Sequence, residues 1–527
     1  MSPVLASGAG NAPRLPLLAA GAALAYLVLL LGLNLRVTGG EFEYPLDDIY
    51  IHLAMADGIA RGEYGVNAGE ASAASSSPLY PVLLAPQLPG GLQRLLPLFW
   101  AGLGMLATAW LWGRILLVAG YGEGALRRTG IALALAGPIA LNMPGVAYLG
   151  MEHSLHAAAT LAILLGLMLA LQGRARWPLF FAGVLLAPLI RFEGLAFALA
   201  AAGVLVLAGQ VRRGLAAAVA ATVPILAFCG FLVSLGLDAL PASVVARRSI
   251  VGENPDVITR AIANFYLNMT KAPGLFLLAV AVFLLVFLVV KPERQRSWPA
   301  GLVALAVGAA IMGHLFLAFI GWHARWEHYI VVLATASVVV LLPLMGHLLS
   351  GGAQRLVLAA AMVALAAIYL PASYRVLPIG SRTIMLQQKQ MGEFAKEYLQ
   401  APVAVNDIGW VTWKNPNLVF DLWGLSAPDV LHLRLGAPSP GWAAPLVEAR
   451  GVKLAMIYDA WLSEAVGPEW VRLGNLVLDD WQGSVGGAKV AFYATSANHV
   501  PELTAALEAW VPTLRPGSHF DFAEGIR

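Results

Sequence analysis

The chain has 527 residues, of which 33 are Lys or Arg and 30 are Asp or Glu, so its formal net charge is only +3. Hydrophobic residues make up 59% of the chain, and charged residues make up 12%, about half of the roughly 25% found in soluble domains. This composition excludes a soluble globular protein and a disordered chain, and the even charge balance argues against a nucleic-acid partner. The single cysteine, Cys229, excludes an intrachain disulfide.

Long apolar runs occupy most of the first 371 residues. Since a helix needs roughly 20 apolar residues to cross a membrane, the pattern predicts eleven transmembrane helices. The runs are 15–35, 93–118, 129–147, 154–171, 177–190, 192–209, 215–236, 273–290, 298–320, 328–349 and 355–371. The runs 177–190 and 192–209 are short and separated only by Arg191-Phe192-Glu193, so they are interpreted as a V-shaped pair that barely crosses.

Basic residues occupy alternate loops between these runs. With eleven helices, every basic loop falls on the same side as Arg14, and an excess of Lys and Arg marks the cytoplasmic side. The residues of these loops are Arg127, Arg128, Arg174, Arg176, Arg212, Arg213, Lys291, Arg294, Arg296 and Arg355. The N-terminus is therefore predicted to be cytoplasmic and the C-terminus extracytoplasmic.

The opposite side carries the more polar segments. It holds a long first loop at 36–92, shorter loops at 142–154, 237–272 and 321–328, and a tail that begins at residue 372. The tail is long enough for one soluble domain. Predicted strands are Val403–Val405, Leu454–Ile457 and Val490–Tyr493, and predicted helices are Glu393–Leu399 and Glu502–Trp510. We therefore expect a transmembrane domain at 1–371 and an extracytoplasmic α/β domain at 372–527.

The first loop carries two adjacent carboxylates, Asp47 and Asp48, shortly after Pro45. In one interpretation Asp48 caps an amphipathic helix that lies on the membrane surface. In the other, one carboxylate is a general base, because a partly dry interface raises the pKa of a carboxyl group. Its neighbour then orients the base or binds a metal ion. The pair alone does not decide between these interpretations.

The segments Gly62-Glu-Tyr-Gly65-Val-Asn67-Ala-Gly69-Glu70 and Ser75-Ser-Ser77-Pro-Leu-Tyr80 follow the Asp pair. This order resembles the first extracytoplasmic loop of GT-C glycosyltransferases that use a polyprenyl-phosphate sugar. It is most similar to the terminal arabinofuranosyltransferases and their bacterial relatives, except that Arg247 stands where that family has Lys. Further matching segments are Gly150-Met-Glu152, Arg191-Phe-Glu193-Gly194, Pro241-Ala-Ser243-Val-Val-Ala-Arg247, Arg325-Trp-Glu327-His-Tyr329, Asn406-Asp407-Ile-Gly409 and Asp421-Leu-Trp-Gly424-Leu425.

The resemblance implies an inverting enzyme in the bacterial cytoplasmic membrane. It would move one sugar, arabinofuranose or a similar pentofuranose, from a polyprenyl-phosphate donor to a cell-surface glycan or glycoprotein on the outer face. Asp47 is the candidate base, and Asp48 is its alternative or helper. Glu152 would orient the acceptor or complete a metal site with the pair. The alternative for Glu152 is an acid that complements the dipole of the following helix.

Arg247 and Arg325 are the candidate ligands of the donor phosphate, because a guanidinium is a forked and permanently charged donor. His323 and His328 flank Arg325 and are assigned to the same site. The alternatives are a solvated or headgroup-binding Arg247 and an ion pair of Arg325 with Glu327. A metal cluster of the two histidines with Glu327 fits no standard ligand spacing. Further site candidates are Tyr50, Glu70, Ser77, Glu327 and Tyr329.

No cofactor is required by these motifs, and a divalent cation at Asp47 and Asp48 is left open. The expected partners are the lipid-linked donor, the acceptor and membrane lipid. No glycine-rich dinucleotide motif or Walker loop is present, which disfavours a nucleotide-sugar donor. The rival class is a transporter or lipid flippase, but such proteins place ionisable residues inside their spans, and here the spans are nearly free of charge. A structural membrane protein would leave the acidic loop unexplained.

Overall fold

The computed structural model describes residues 14–248, 256–290, 299–480, 483 and 485–526. Lys291, Arg294 and Arg296 of the predicted basic loops, and part of the predicted loop 237–272, lie outside these residues. The described part of the chain contains 23 α-helices and six β-strands. Most of the helices precede residue 372, and all six strands follow it.

The helices before residue 372 include the long apolar ones. They are α1 (Leu15–Val37), α2 (Asp48–Ala60), α3 (Tyr80–Leu84), α4 (Leu96–Val118), α5 (Arg127–Ala140), α6 (Met143–Tyr148), α7 (His153–Leu171), α8 (Trp177–Ile190), α9 (Gly194–Leu207), α10 (Val211–Ser234), α11 (Ala242–Arg248), α12 (Val257–Met269), α13 (Ala272–Val290), α14 (Ala300–Leu317), α15 (His328–Leu341) and α16 (Gly351–Pro371). Among the described residues, nine helical runs are long and apolar enough to cross a membrane, and α8 and α9 are shorter apolar helices. All eleven predicted runs fall on helices, which confirms the helical polytopic architecture.

The helices α8 and α9 have 14 residues each, so each is about 21 Å long, against a hydrocarbon core of about 30 Å. Arg191 is extended after α8, and α9 begins at Gly194. A Cβ atom at position 194 would lie 2.5 Å from the backbone carbon of Ala187, so only glycine permits this close turn. The sequence predicts this short pair correctly.

Two helices lie at the centre of the helical part. In both α7 and α15, 89% of the span is buried, whereas only 22% of the α10 span is buried. A helix that is apolar on all sides is stable only when other helices or lipid surround it. The polar side chains at the ends of α7 and α15 are therefore held inside protein.

The C-terminal part combines short helices with one mixed sheet. The helices are α17 (Leu377–Leu386), α18 (Gln388–Glu393), α19 (Gly409–Thr412), α20 (Pro428–Leu435), α21 (Ala444–Ala449), α22 (Asp459–Leu462) and α23 (Val500–Trp510). The strands are β1 (Val403–Val405), β2 (Val419–Asp421), β3 (Leu454–Ile457), β4 (Val471–Leu478), β5 (Lys489–Ala494) and β6 (Ser518–Phe522). The strand order is β2-β1-β3-β5-β4-β6, and β2, β1 and β3 are parallel while the other pairings are antiparallel. This confirms the predicted α/β domain.

The predicted strands correspond to β1, β3 and β5, whereas β2, β4 and β6 are not predicted. Strand β2 has only three residues and follows Pro416, so its apolar run is too short to stand out. Strand β4 carries Arg472 and Asn475 and has an irregular register between Arg472 and Gly474, which interrupts the alternation that indicates a strand. The predicted helix at 393–399 continues α18 as a π-helical segment, Phe394–Leu399.

The described residues form two compact units. The helical unit lies within residues 1–30, 98–225 and 257–374, and the sheet unit lies within 31–97, 226–256 and 375–527. The first loop belongs to the sheet unit because its side chains bond to it. The Asn67 amide exchanges two hydrogen bonds, of 3.0 and 3.1 Å, with the backbone of Val419 on the edge strand β2. The division into 1–371 and 372–527 stays a prediction.

Helix α2 is not an amphipathic helix with one apolar face for the membrane surface and one face for solvent. It begins at Asp48, its N-cap residue is Asp47, and its residues from Ile49 to Gly58 are all buried in the structure. The close packing of Gly58 illustrates this burial, since a Cβ atom there would lie 2.1 Å from the carbonyl oxygen of Gly65. The interpretation of Asp48 as the cap of an amphipathic surface helix is therefore wrong.

Candidate active site

Polar residues follow the three parallel strands of the sheet unit. Asp421 is the last residue of β2, Asp407 comes two residues after the end of β1, and Tyr458 comes directly after β3. Because the carboxyl ends of neighbouring parallel strands meet at one edge of a sheet, these three side chains share that edge. Ligands of open α/β sheets bind at this edge, so the three side chains mark a candidate ligand-binding site.

Hydrogen bonds from the first residue of α18 hold Asp407 in place. The Gln388 amide donates to Asp407 Oδ2 over 3.0 Å and to the Tyr458 hydroxyl over 2.8 Å. The Tyr458 hydroxyl in turn donates to Gln387 Oε1, and the Tyr458 backbone amide donates to Asn406 Oδ1 over 2.9 Å. The half-buried Asp407 thus has a fixed orientation in a polar environment.

Asp47 of the first loop is bonded to the short helix α19. Its Oδ2 accepts a hydrogen bond from the backbone amide of Gly409 over 2.7 Å, and its Oδ1 accepts one from Trp410 over 2.8 Å. These amides belong to the first turn of α19, which has no partners for them within the helix. A Cβ atom at position 409 would lie 2.2 Å from the Asp47 carbonyl oxygen, so glycine is required there. Asp47 therefore connects the first loop to the residues after β1.

Replacing Asp47 by Asn should destabilise the sheet unit by about 1–3 kcal/mol, because the amide group would turn an N–H toward one of the two backbone donors. We expect a lower temperature of thermal unfolding for the purified full chain. The matched control is Glu448→Gln, a similar change at an exposed position in the same unit, which should leave the unfolding temperature unchanged. An Asp47→Asn protein as stable as the wild type would contradict the capping role.

Three carboxylates, those of Asp47, Asp48 and Asp407, influence one another. Burial, and then the negative charge of Asp407, raises the pKa of Asp47 well above its usual range, although the two backbone amides oppose this. Burial likewise raises the pKa of Asp407 to about 6; the Gln388 amide lowers it, and the charge of Asp48 adds to the rise. Asp48 itself is half-buried at the first turn of α2. Close carboxylates of this kind titrate as a coupled group.

The stability of the protein should fall as the pH rises from about 4 to about 6. The pKa of Asp407 is about 6 in the folded chain and near its ordinary 3.8 in the unfolded chain, so the folded state binds more protons in this window. A shift of this size corresponds to a loss on the order of 3 kcal/mol, complete above pH 6. Thermal unfolding of the wild type and of Asp407→Asn across this range measures it. The variant should lose part of the fall, because Asp47, whose pKa is also raised, keeps its own contribution, and an unchanged pH dependence would contradict the assignment.

A divalent cation does not fit the Asp47–Asp48 pair well. Both oxygens of Asp47 already accept backbone hydrogen bonds, which a cation would have to displace. Across the described residues, no group of three or more His, Cys, Asp or Glu is arranged to hold a metal ion. We therefore assign no step to a metal ion.

The other predicted residues of the first loop have structural partners. The buried Tyr50 hydroxyl donates to Glu43 Oε1, and the Tyr50 ring lies 4.3 Å from the Trp410 ring. The Ser77 hydroxyl oxygen accepts the backbone amide of Tyr80 over 3.0 Å at the start of α3. Glu70 pairs with Arg450 at the surface of the sheet unit. These contacts place the three residues in the sheet unit with Asp47 and Asp48.

Glu152 lies in the helical unit, fully buried at the residue before α7. Its Oε1 is 2.7 Å from Arg191 Nη1, and Arg191 also binds both oxygens of Glu193 over 2.7 and 3.2 Å. Arg191 thus joins the start of α7 to the turn between α8 and α9. Glu152 occupies the N-cap position of α7, as the dipole interpretation expects, but its side chain makes no capping hydrogen bond.

Buried imidazoles and Tyr329 form a cluster at helix ends in the same unit. The His156 ring lies against the Tyr329 ring with centroids 4.2 Å apart, and His314 Nδ1 is 3.0 Å from the Tyr329 hydroxyl. The three residues come from the start of α7, the start of α15 and the end of α14. His328, also buried, precedes Tyr329 on α15.

The predicted phosphate ligands lie in both units. Arg325 is buried, with Nη1 against the sulfur of Met151, in the loop before α15. His323 in the same loop has a φ of 63°, a left-handed conformation that a non-glycine residue adopts only at a cost of about 1–3 kcal/mol. Glu327 accepts the Gly321 amide over 2.9 Å and the Tyr369 hydroxyl over 3.4 Å. Arg247, half-buried in the sheet unit, donates from Nε to the Ser243 carbonyl over 3.2 Å.

The class of protein is thus a polytopic helical membrane protein with a C-terminal α/β part. Residues 381–493, about a fifth of the chain, match a family described as a domain of unknown function (DUF8728). No curated protein matches the chain.

Solved structures that are similar to the chain include the following two. The apo form of the Archaeoglobus fulgidus oligosaccharyltransferase matches with a TM-score of 0.44 and 11% identity, over 90% of this chain and 74% of that chain. ArnT from Cupriavidus metallidurans, bound to undecaprenyl phosphate, matches with a TM-score of 0.44 and 13% identity, over 90% of this chain and 98% of that chain. Similarities at this level do not by themselves assign an activity.

Proposed function

We propose that this chain is a GT-C-type membrane glycosyltransferase with a polyprenyl-phosphate sugar as donor. It transfers one sugar, a pentofuranose such as arabinofuranose, to a cell-surface glycan or glycoprotein on the outer face of the bacterial cytoplasmic membrane. The observation that carries the proposal is the meeting of the Asp47–Asp48 pair with Asp407 at the carboxyl end of β1. The ordered motifs that resemble this family, from the first loop to the C-terminal tail, support it.

Asp48 is the general base in this proposal. Asp48 is half-buried at the first turn of α2, next to Asp47, whose two carboxylate oxygens accept the backbone amides of α19. Its carboxylate takes the proton of the acceptor hydroxyl as the hydroxyl oxygen bonds to the anomeric carbon. The bond from that carbon to the phosphate oxygen breaks at the same time, and polyprenyl monophosphate leaves with the electron pair. Attack from the face opposite the phosphate inverts the anomeric configuration.

Arg325 is a candidate phosphate ligand among the residues of the helical unit. Its guanidinium is permanently charged and is buried beside the Met151 thioether. In such a setting the attraction between the guanidinium and a phosphate is stronger than it would be in water. His323 is a second candidate phosphate ligand in this loop. Its left-handed backbone is the kind of strain that is found at binding sites. Arg247, which belongs to the same unit as Asp48, is the other candidate ligand of the donor phosphate.

One observation favours the rival class, a transporter or lipid flippase. The ion pair of Glu152 with Arg191 is buried at the ends of apolar helices, next to the buried imidazoles. Ionisable groups inside helical membrane proteins commonly line transport pathways. The two classes differ in whether the bond between sugar and phosphate is broken.

The experiment that tests the proposal uses the full chain in lipid nanodiscs with synthetic short-chain polyprenyl-phosphoryl sugars, arabinofuranose included. We expect release of polyprenyl monophosphate together with a new glycoside on an added acceptor, or with the free sugar when water is the acceptor. The anomeric configuration of the product, read by NMR, should be inverted relative to the donor. A lack of cleavage with every sugar, by protein shown to be folded, would contradict the proposal, and retention would contradict the single-step mechanism.

A further inference from the structure

A polar cavity of about 240 Å³ lies in the sheet unit beside the end of β2. The first loop contributes Asn67 and Glu70, and the C-terminal part contributes Phe420, Asp421, Asp429 and Arg450. Sites for drug-sized ligands have volumes of roughly 300–1,000 Å³. This cavity therefore suits a smaller ligand, of the size of a single sugar ring.

Hydrogen bonds and ion pairs fix the walls of the cavity. The Asn67 amide is bonded to both backbone groups of Val419, and Glu70 is paired with Arg450. The Asp421 carboxylate accepts the backbone amides of the turn that follows it, at 2.7–3.0 Å. The Arg450 guanidinium lies 5.4 Å from the centre of the Phe420 ring. The cavity is thus formed before any ligand arrives, which lowers the entropy cost of binding.

The residues that line the cavity disfavour phosphate groups, metal ions and long apolar chains. Glu70, Asp421 and Asp429 carry negative charge and only Arg450 carries positive charge, so a phosphate group is repelled. A polyprenyl chain would leave these polar groups without water or partners, which is costly. A metal ion is disfavoured too, since no three metal-ligating side chains converge in the described part of the chain. A neutral ligand with several hydroxyl groups satisfies this lining, because carboxylates and a guanidinium accept from and donate to hydroxyls.

The cavity lies on the same sheet edge as the candidate base. Asp421 ends β2, which pairs in parallel with β1, and Asp407 follows β1. The charge of Asp421 is one of the influences that raise the pKa of Asp407, which shows that the two carboxylates are near one another. A saccharide in this cavity would be close to the three carboxylates.

We propose that this cavity binds a neutral sugar residue of the acceptor glycan and holds it beside the Asp47–Asp48–Asp407 carboxylates. The inference rests on the proposed glycosyltransferase function for the identity of the ligand as acceptor. It makes a claim of its own, that a neutral saccharide binds at this place in the sheet unit. Asp429 and Glu70 are the acceptors for its hydroxyl groups, and Arg450 is the donor.

The test measures direct binding to the full chain in nanodiscs by saturation-transfer NMR, with methyl arabinofuranoside and methyl mannopyranoside as the probes. Ala71 is exposed and lines the cavity, so Ala71→Trp fills it without disturbing a core. Ala60→Trp is the matched control, because Ala60 is exposed and lines a different cavity of the same unit. We expect Ala71→Trp to weaken binding of at least one probe more than tenfold, Asp429→Asn to weaken it severalfold, and Ala60→Trp to leave it unchanged.

Binding of neither probe, or binding that Ala71→Trp leaves intact, would overturn the inference. Cleavage of the lipid-linked donor with water as acceptor, measured on the same proteins, separates it from the proposed function. If saccharide binding is sensitive to Ala71→Trp while no donor is cleaved by any protein, the proposed function fails and the binding site stands. If donor is cleaved and Ala71→Trp changes no binding, the inference fails and the function stands.

Discussion

Replacement of Asp48 by Asn should lower the rate of sugar transfer about 10²–10⁴-fold. That range is the usual contribution of a general base, and an amide cannot accept the proton of the acceptor hydroxyl. Asp48 is half-buried, whereas the carboxylate of Asp47 is bonded to the backbone amides of α19. The loss should therefore appear as a lower kcat with an unchanged affinity for the lipid-linked donor.

Two comparisons make this prediction specific to Asp48. Glu63→Gln, at a half-buried carboxylate of the same loop, should keep the wild-type rate. Asp47→Asn should lose activity and stability together, because it disturbs the contact between the first loop and α19. Wild-type turnover by Asp48→Asn would contradict its role as base. A loss confined to Asp407→Asn, with Asp48→Asn active, would move that role to Asp407.

Replacement of Arg191 by Met should destabilise the helical unit by about 3–5 kcal/mol, the largest stability change that we expect. The guanidinium holds two carboxylates, Glu152 at 2.7 Å and Glu193 at 2.7 Å, and Glu152 is fully buried. Removing one partner of a buried ion pair leaves a buried charge without compensation. The unfolding of purified protein in mixed micelles with increasing SDS measures the change.

The control for this measurement is Arg355→Met, at an exposed arginine of α16, which should change the stability by less than about 0.5 kcal/mol. The double variant Arg191→Met with Glu152→Gln should recover part of the loss, since it removes the charge that the first change leaves unpaired. A loss of stability below 1 kcal/mol in Arg191→Met, or no recovery in the double variant, would show that Arg191 does not compensate the buried charge of Glu152.

The sequence predicts those parts of the fold that depend on local composition. The eleven apolar runs all fall on helices, the run 129–147 on α5 and α6 together, because length and hydropathy suffice to identify them. The buried strands β1 and β3 stand out as short apolar runs for the same reason. Strands β2 and β4 do not, because one is very short and the other carries polar residues on its open face.

The candidate site depends on contacts that no local pattern contains. Asp47 and Gly409 are 362 residues apart in the chain, and only the folded sheet unit brings the first loop to α19. The positions of Asp407 and Tyr458 directly after apolar strands were the available signal, since ligands favour the carboxyl ends of parallel strands. Gln388 had no such signal, because its role comes from α18 packing beside that edge.

Predicted roles also depended on partners that the sequence does not reveal. Glu152 is a plausible acid of a site when it is considered alone, and its partner Arg191 lies 39 residues further along the chain. Asp47 is a plausible base until its two backbone partners are known. In both cases the side chain has the expected chemistry, and the three-dimensional contacts decide how much of that chemistry is available to a substrate.

The most direct test of the account asks what the protein does to a lipid-linked sugar in a sealed membrane. The full chain is reconstituted into vesicles with a polyprenyl-phosphoryl sugar that is labelled in the sugar, and both bond cleavage and movement across the bilayer are followed. We expect free polyprenyl monophosphate and glycosidic product to form with the wild type and to fall at least 100-fold with Asp48→Asn. Movement of the intact donor across the bilayer, with no cleavage of the sugar–phosphate bond, would contradict it and identify a transporter.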